Sequence, residues 1–389
     1  MNMFLAQTLN IGIKKNKNDA VCFKLLDNAT LSLVSTKNIF AASPVSINKK
    51  HIRISSPKYI FVNSGNANAC TGKTGNVNAY KYISELSKCF KCKREEILIF
   101  STGIIGQQLP ITRICRSIRQ TNFKFNSSLV NSARAIMTTD KYPKLIERSV
   151  MISGKKITIK AICKGAGMIE PNMATMLAFI FVDIKMRKSN LDKLLSTCVE
   201  DTFNKISVDG DMSTNDSVAL IASGENADID VMQPINHKKL QKCMMGVFKD
   251  LSLLIVADGE GATKVCEVLV DNASSQKSAE TLCYKIANSN LIKTALYGQD
   301  PNWGRIIAKV GSALNSKIDP MKLILRINNI VVFKRGVPSE YAKSKKLVKS
   351  MTKRNIKIEV SLSLGKFSHN LFTSDLSKKY VQINSDYTS

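Results

Sequence analysis

The chain of 389 residues carries 57 Lys and Arg against 30 Asp and Glu, a formal charge of +27, with 44% hydrophobic and 22% charged residues. That composition excludes an intrinsically disordered chain, and the longest apolar run, residues 176–182, is far too short for a bilayer-spanning helix. The length predicts two domains or one large layered domain with a substantial core.

Hydrophobic patterning predicts mixed α and β structure. A strand over residues 59–63 leads into a Gly/Asn-rich loop over 64–78. A helix over 79–92 follows, with Tyr82, Ile83, Leu86 and Phe90 at helical spacing. Residues 97–100 form a strand that enters the loop 101–107. The pattern then gives a helix over 131–137, a strand over 156–163, a buried strand over 176–183, a helix over 191–203 and another buried strand over 251–256. No repeat or low-complexity linker separates these elements.

Ten cysteines scattered from Cys22 to Cys283 lack the density of a disulfide-built secreted domain and are expected to be reduced. The close pair Cys89-Phe-Lys-Cys92 has no second pair at zinc-ribbon spacing, and His51, His237 and His369 stand apart, so no metal site is expected. No targeting segment is read at the N-terminus, and a cytoplasmic location is expected. Lysines are spread singly or in pairs, without an aromatic-interleaved basic stripe. Neither nucleic acid nor a membrane is therefore an expected partner.

Ala67-Asn-Ala-Cys-Thr-Gly72-Lys73-Thr74 has the relaxed spacing of a phosphate-binding loop between a strand and a helix. Ala67 lacks the freedom of the first glycine to adopt positive φ, and Gly75 and Asn76 are poor starters for the following helix. A P-loop nucleotide-binding protein using Lys73 and Thr74 is the alternative, ranked below a plain turn loop. A histidine triad has too few histidines and no Gly-x-Ser-x-Gly elbow, so a general base must come from elsewhere. Cleavage of Ala174–Thr175 would supply one. The new α-amine would sit beside the Thr175 hydroxyl and titrate at about 7.7–8.0.

Eight blocks occur in order: Val62-Asn-Ser-Gly-Asn-Ala-Asn-Ala-Cys-Thr-Gly72, Ser101-Thr-Gly-Ile-Ile-Gly106, Met137-Thr-Thr-Asp140, Lys164-Gly-Ala-Gly-Met-Ile-Glu-Pro-Asn-Met-Ala-Thr-Met-Leu-Ala178, Asp209-Gly-Asp-Met-Ser-Thr-Asn-Asp216, Asp258-Gly-Glu-Gly-Ala-Thr-Lys264, Gly298-Gln-Asp-Pro-Asn-Trp-Gly-Arg305 and Ile383-Asn-Ser-Asp-Tyr-Thr-Ser389. Together they resemble the signature blocks of the ornithine acetyltransferase, or glutamate N-acetyltransferase, family of arginine biosynthesis. The resemblance covers most of the chain. It implies an α+β fold of layered sheets between helices, of the N-terminal nucleophile kind. It also implies self-cleavage at Ala174–Thr175 into an α chain, 1–174, and a β chain, 175–389, assembled as a heterotetramer of two α and two β chains.

By the same resemblance Thr175 attacks the acetyl group of N-acetylornithine, and glutamate then receives it, without a cofactor. Thr102 and Gly103 match the oxyanion positions, the first by its hydroxyl and the second by its backbone N–H. Thr138, Lys164, Glu260, Asn384 and Ser389 match substrate-binding positions, Lys164 suited to an α-carboxylate and Glu260 to a cationic amine. Thr139 beside Thr138 leaves that register open by one. Thr373-Ser374-Asp375-Leu376-Ser377 departs from the family's Trp-Gly-Cys-Asp-Leu-Thr type of element, and Ser389 stands where Thr is usual. The residues leave open whether acetyl-CoA serves as a second donor.

Overall fold

The computed structural model describes residues 3–126, 128–170, 176–313 and 318–386. They form two compact units. The first comprises the residues up to Asn204 together with Met212–Ile255, and the second Lys205–Asp211 together with the residues from Val256 on.

The first unit has strands β1 (Phe4–Leu9), β2 (Ala20–Leu25), β3 (Thr30–Ser35), β4 (Tyr59–Asn66), β5 (Ile97–Ile104), β6 (Lys144–Ile152), β7 (Lys155–Lys164) and β8 (Leu177–Val182). The short β9 (Ile206–Ser207) belongs to the second unit, and β10 (Ser217–Ala222) returns to the first. One sheet runs β1-β2-β4-β5 and the other β3-β10-β8-β7-β6. Their facing sides share a core in which Phe4 stacks on Phe181 at 4.1 Å and Phe100 meets Phe179 edge-on at 5.1 Å. Each such fully buried aromatic or aliphatic side chain contributes about 1.5–3 kcal/mol.

Helices α1 (Ser43–Ile54), α2 (Gly72–Phe90), α3 (Ile111–Gln120), α4 (Leu129–Ile136), α5 (Lys188–Asp201) and α6 (Pro234–Ala257) complete this unit. On the outer side of the first sheet, Ala79, Tyr82, Ile83 and Leu86 of α2 and Ile114 and Ile118 of α3 pack on Phe61, Ile97 and Ile99. Beyond the second sheet lie α5, against β3 and β10, and α6, whose Leu251 carbonyl accepts a hydrogen bond from Cys163 of β7. Covered on both faces, β8 has every residue buried, which explains its unbroken apolar run.

Two expectations need correction. Residues 251–256 form the end of α6 and not a strand; Leu240, Met244, Val247, Leu251 and Ile255 are buried at helical spacing, and an apolar run alone does not separate the two cases. The helix expected at 79 begins at Gly72. Gly75 stands in its first turn despite a low helix propensity, because a Cβ there would lie 1.9 Å from the hydroxyl of Thr71, the N-cap residue of the helix.

The second unit is built on a seven-stranded sheet that adds β11 (Val265–Ala273), β12 (Ile324–Ile327), β13 (Ile330–Lys334), β14 (Val337–Pro338), β15 (Asn355–Ser361) and β16 (Phe367–Ser374), in the order β14-β13-β12-β15-β11-β16-β9. Helices α7 (Gln276–Ala287), α8 (Asn290–Tyr297) and α9 (Trp303–Ala313) share its core through Leu282, Ile286, Leu296, Ile306 and Val310. Two further helices, α10 (Lys345–Ser350) and α11 (Lys378–Asp386), follow.

Candidate functional site

In the first unit the ends of parallel strands β4 and β5 lie side by side, pairing Ser64 with Thr102 and Gly65 with Gly103. Gly103, expected in a loop, lies in β5 with φ +132°, and a Cβ on it would stand 2.3 Å from the Gly65 carbonyl carbon, so the close approach of the two strand ends requires glycine there. Asn215 fastens the arrangement, donating from one amide nitrogen to the carbonyls of Ala67 at 2.7 Å and Ser101 at 2.8 Å.

Lys164, the last residue of β7, is 3% exposed and donates to Thr102 Oγ1 at 3.0 Å. An ammonium group only donates. The Thr102 hydroxyl therefore accepts from Lys164 and keeps its own hydrogen for another acceptor. Thr102 and Lys164 are brought together, with Gly103 next in the chain; the sequence blocks named these residues without pairing them.

Asp140 organises the base of this cluster. Its Oδ1 accepts from Lys144 Nζ at 2.6 Å and Gly165 N at 2.8 Å, and its Oδ2 from Thr138 N at 2.9 Å. Burial alone would raise its pKa, but Lys164, Lys144 and these hydrogen bonds bring it down to about 2. Thr138 thus enters through its backbone. Lys14 lies close by, donating to Ser64 Oγ at 2.7 Å and to the Met137 carbonyl at 2.5 Å. Burial, reinforced by nearby Lys164, lowers its pKa to about 8 although Asp19 and Asp140 oppose the shift.

The start of β8 is held by β10. Met176 N donates to Asp216 Oδ1 at 2.8 Å, and Ser217 N donates to the Met176 carbonyl at 3.0 Å. Thr175 and Ala174 lie outside the described residues, as does Ser389.

In the second unit Glu260, 8% exposed, accepts from Asn384 Nδ2 of α11 at 2.8 Å, so these two expected residues also meet. Asp375 receives Thr263 N at 2.8 Å, Thr263 Oγ1 at 2.5 Å and Lys264 N at 2.9 Å. The segment 373–377 therefore still anchors the Glu260 turn through its aspartate, despite its altered neighbours. Lys293 of α8 donates to Thr373 Oγ1 and the Ser374 carbonyl, and burial lowers its pKa to about 8.

In the loop with phosphate-loop spacing, Ala67 N donates to the Ile104 carbonyl at 2.9 Å and Asn68 N to Asn66 Oδ1 at 2.8 Å. Thr71 Oγ1 is bonded to Asn68, which also binds the Gly75 carbonyl. Ala67, Asn68 and Thr71 are buried while Lys73 and Thr74 are exposed. The loop is a packed joint, and the nucleotide-binding alternative has no support.

Asp140, Lys144, Lys14, Asn215 and Asp216 had no assigned role in the sequence. Asp140, Asn215 and Asp216 fall inside blocks already singled out; Asp140 is the one charged residue of its block, whereas Asp216 shares its block with Asp209 and Asp211 and nothing local marks it out.

A profile described as the ArgJ family matches residues 5–389. The arginine biosynthesis bifunctional protein ArgJ of Lactococcus lactis is 37% identical over 387 residues, covering 99% of this chain and 97% of that protein. Its counterpart in Caldanaerobacter subterraneus is also 37% identical, over 390 residues, with 99% and 96% covered. The crystal structure of the protein of the same name from Bacillus halodurans is 33% identical over 53% of this chain and 96% of that chain, with a TM-score of 0.48.

Proposed function

The chain belongs to the ArgJ family of arginine biosynthesis proteins, and from that premise we propose that it moves the acetyl group of N-acetylornithine to glutamate through an acetyl ester on Thr175. The reading requires prior cleavage of Ala174–Thr175, giving chains 1–174 and 175–389. The freed α-amine takes the proton of Thr175 Oγ as the oxygen attacks the acetyl carbonyl. Collapse of the tetrahedral intermediate breaks the carbon–nitrogen bond, and the amine returns the proton to the leaving nitrogen of ornithine. The amine of glutamate then attacks the ester, and Thr175 recovers its hydrogen.

The observation that carries this reading is the buried Lys164–Thr102 contact beside Gly103 at the end of β5. Thr102, through its remaining hydroxyl hydrogen, and Gly103, through its N–H, are the proposed donors to the oxyanion. Lys164 and Thr138 are assigned to the substrate's α-carboxylate end. Glu260 and Asn384, together with Ser389, are assigned to the rest of the substrate, Glu260 receiving a cationic amine. Acetyl-CoA as a second donor and the heterotetramer of two α and two β chains belong to the same proposal.

The test is intact-mass measurement of purified protein beside its Thr175→Ala variant. The wild type is expected as two chains divided before residue 175, and the variant as one uncut chain without acetyl transfer. An uncut wild type with full activity overturns the proposal. Lys73→Ala is expected to leave transfer unchanged.

A further inference from the structure

Met176 is gripped at both of its backbone polar groups by consecutive residues, its N–H by the Asp216 carboxyl and its carbonyl by Ser217 N. The Asp216 side chain is 1% exposed, and its second oxygen, Oδ2, has no hydrogen-bond partner among the described residues. Pairing one amide at a strand start does not by itself call for a carboxyl, whose burial is costly where a backbone carbonyl would serve. We propose that Asp216 is a positioning residue for the chemistry at residue 175, fixing the 175–176 peptide through Oδ1. The inference rests on the reading of Thr175 as nucleophile.

The physical reason is the consequence of cleavage. A chain end frays unless it is tied down. Once the bond before residue 175 is broken, that residue loses one of its two chain connections and keeps the other through its following peptide. The N–H in Asp216's grip belongs to that peptide, whose plane also contains the carbonyl of residue 175. Holding the plane limits the rotations left to the amine and hydroxyl of residue 175. Displacing reacting groups by about 1 Å costs about 100-fold in rate.

The protonation state suits a neutral clamp. Burial pushes the Asp216 carboxyl well above the usual carboxylate range, while the Met176 N–H and Lys164 oppose that shift more weakly. A neutral carboxylic acid retains a carbonyl-type acceptor for Met176 N and carries one hydrogen to donate. An asparagine side chain has the same shape, one acceptor and a donor, without ever ionising.

The experiment compares Asp216→Asn, Asp216→Glu and Asp216→Leu in the full chain, with cleavage followed by intact mass and acetyl transfer resolved into kcat and KM. Asp216→Asn is expected to be cut and to keep kcat within about threefold of wild type. The Glu variant, whose oxygen overshoots Met176 by one methylene, and the Leu variant, which lacks the acceptor, are expected to lose about 100-fold in kcat with KM changed less than about threefold. Should the Leu variant fail to fold, the Asn and Glu pair carries the comparison. A Leu or Glu variant with wild-type kcat, or a folded and cut Asn variant as impaired as Glu, overturns the inference. If instead wild type is uncut and active, the reading of Thr175 itself has failed, and the two failures are told apart.

Discussion

At the scale of single residues the account depends on Thr102 as a donor whose oxygen is already occupied by Lys164. Thr102→Ala is expected to lower kcat by about 10²–10³-fold, and Thr102→Ser to keep most of it; steady-state kinetics decide, and a Thr102→Ala enzyme at wild-type kcat would contradict the assignment. Gly103→Ala places a methyl 2.3 Å from the Gly65 carbonyl carbon at φ +132°, and is expected to cost at least about 1–3 kcal/mol in thermal unfolding as well as activity. Asp140 has a folded pKa of about 2 against about 3.9 unfolded, so its stabilisation, on the order of 2–3 kcal/mol, is present above about pH 4 and lost as the pH falls through about 2. Asp140→Asn should flatten that acid limb and destabilise the protein by about 3–5 kcal/mol at neutral pH, because Lys144 is left buried without its carboxylate. Asp216 has the opposite sign: its raised folded pKa supports the fold fully below the unfolded value and loses that support as pH rises toward the folded one. The sequence blocks singled out Thr102 and Lys164 separately, but the contact between them was not legible there. The service of Asp140 and Asp216 was not legible either, because each carboxyl has a backbone partner from a distant segment, Gly165 in one case and Met176 in the other.

At the scale of elements, β7 and β8 matter most. They pair antiparallel from Ile159 with Val182 to Lys164 with Leu177, and β8 pairs in parallel with β10 along its whole length. The proposed cut falls in the connection between β7 and β8, so the two product chains would remain neighbouring strands of one sheet. They are expected to co-elute on gel filtration under native conditions and to separate only in denaturant; separation without denaturant would contradict the account. Strand β8 was legible because both of its faces are covered and its sequence is uniformly apolar. The end of α6 was misread for the same reason, since a short apolar run does not reveal whether its neighbours are sheet or helix. The early start of α2 escaped because Gly75 is chosen by the Thr71 side chain beside it and not by helix propensity.

At the scale of the molecule, the expected α+β architecture of sheets between helices is the one observed. Two units are one of the alternatives the length allowed, but their boundary was hidden, because the second takes Lys205–Asp211 from the middle of the first and pairs Ile206 with Phe372 across more than a third of the chain. Pairings so distant leave no local signal. None of the described helices is long and apolar enough to cross a membrane.

The most direct measurement is the mass and acetylation site of each chain after brief exposure to N-acetylornithine and acid quenching, followed by a chase with glutamate. The account predicts a chain of residues 175–389 bearing one acetyl group on its first residue, lost when glutamate is added. Acetyl transfer by an unbroken chain, or an exchangeable acetyl group on any other residue, would contradict it.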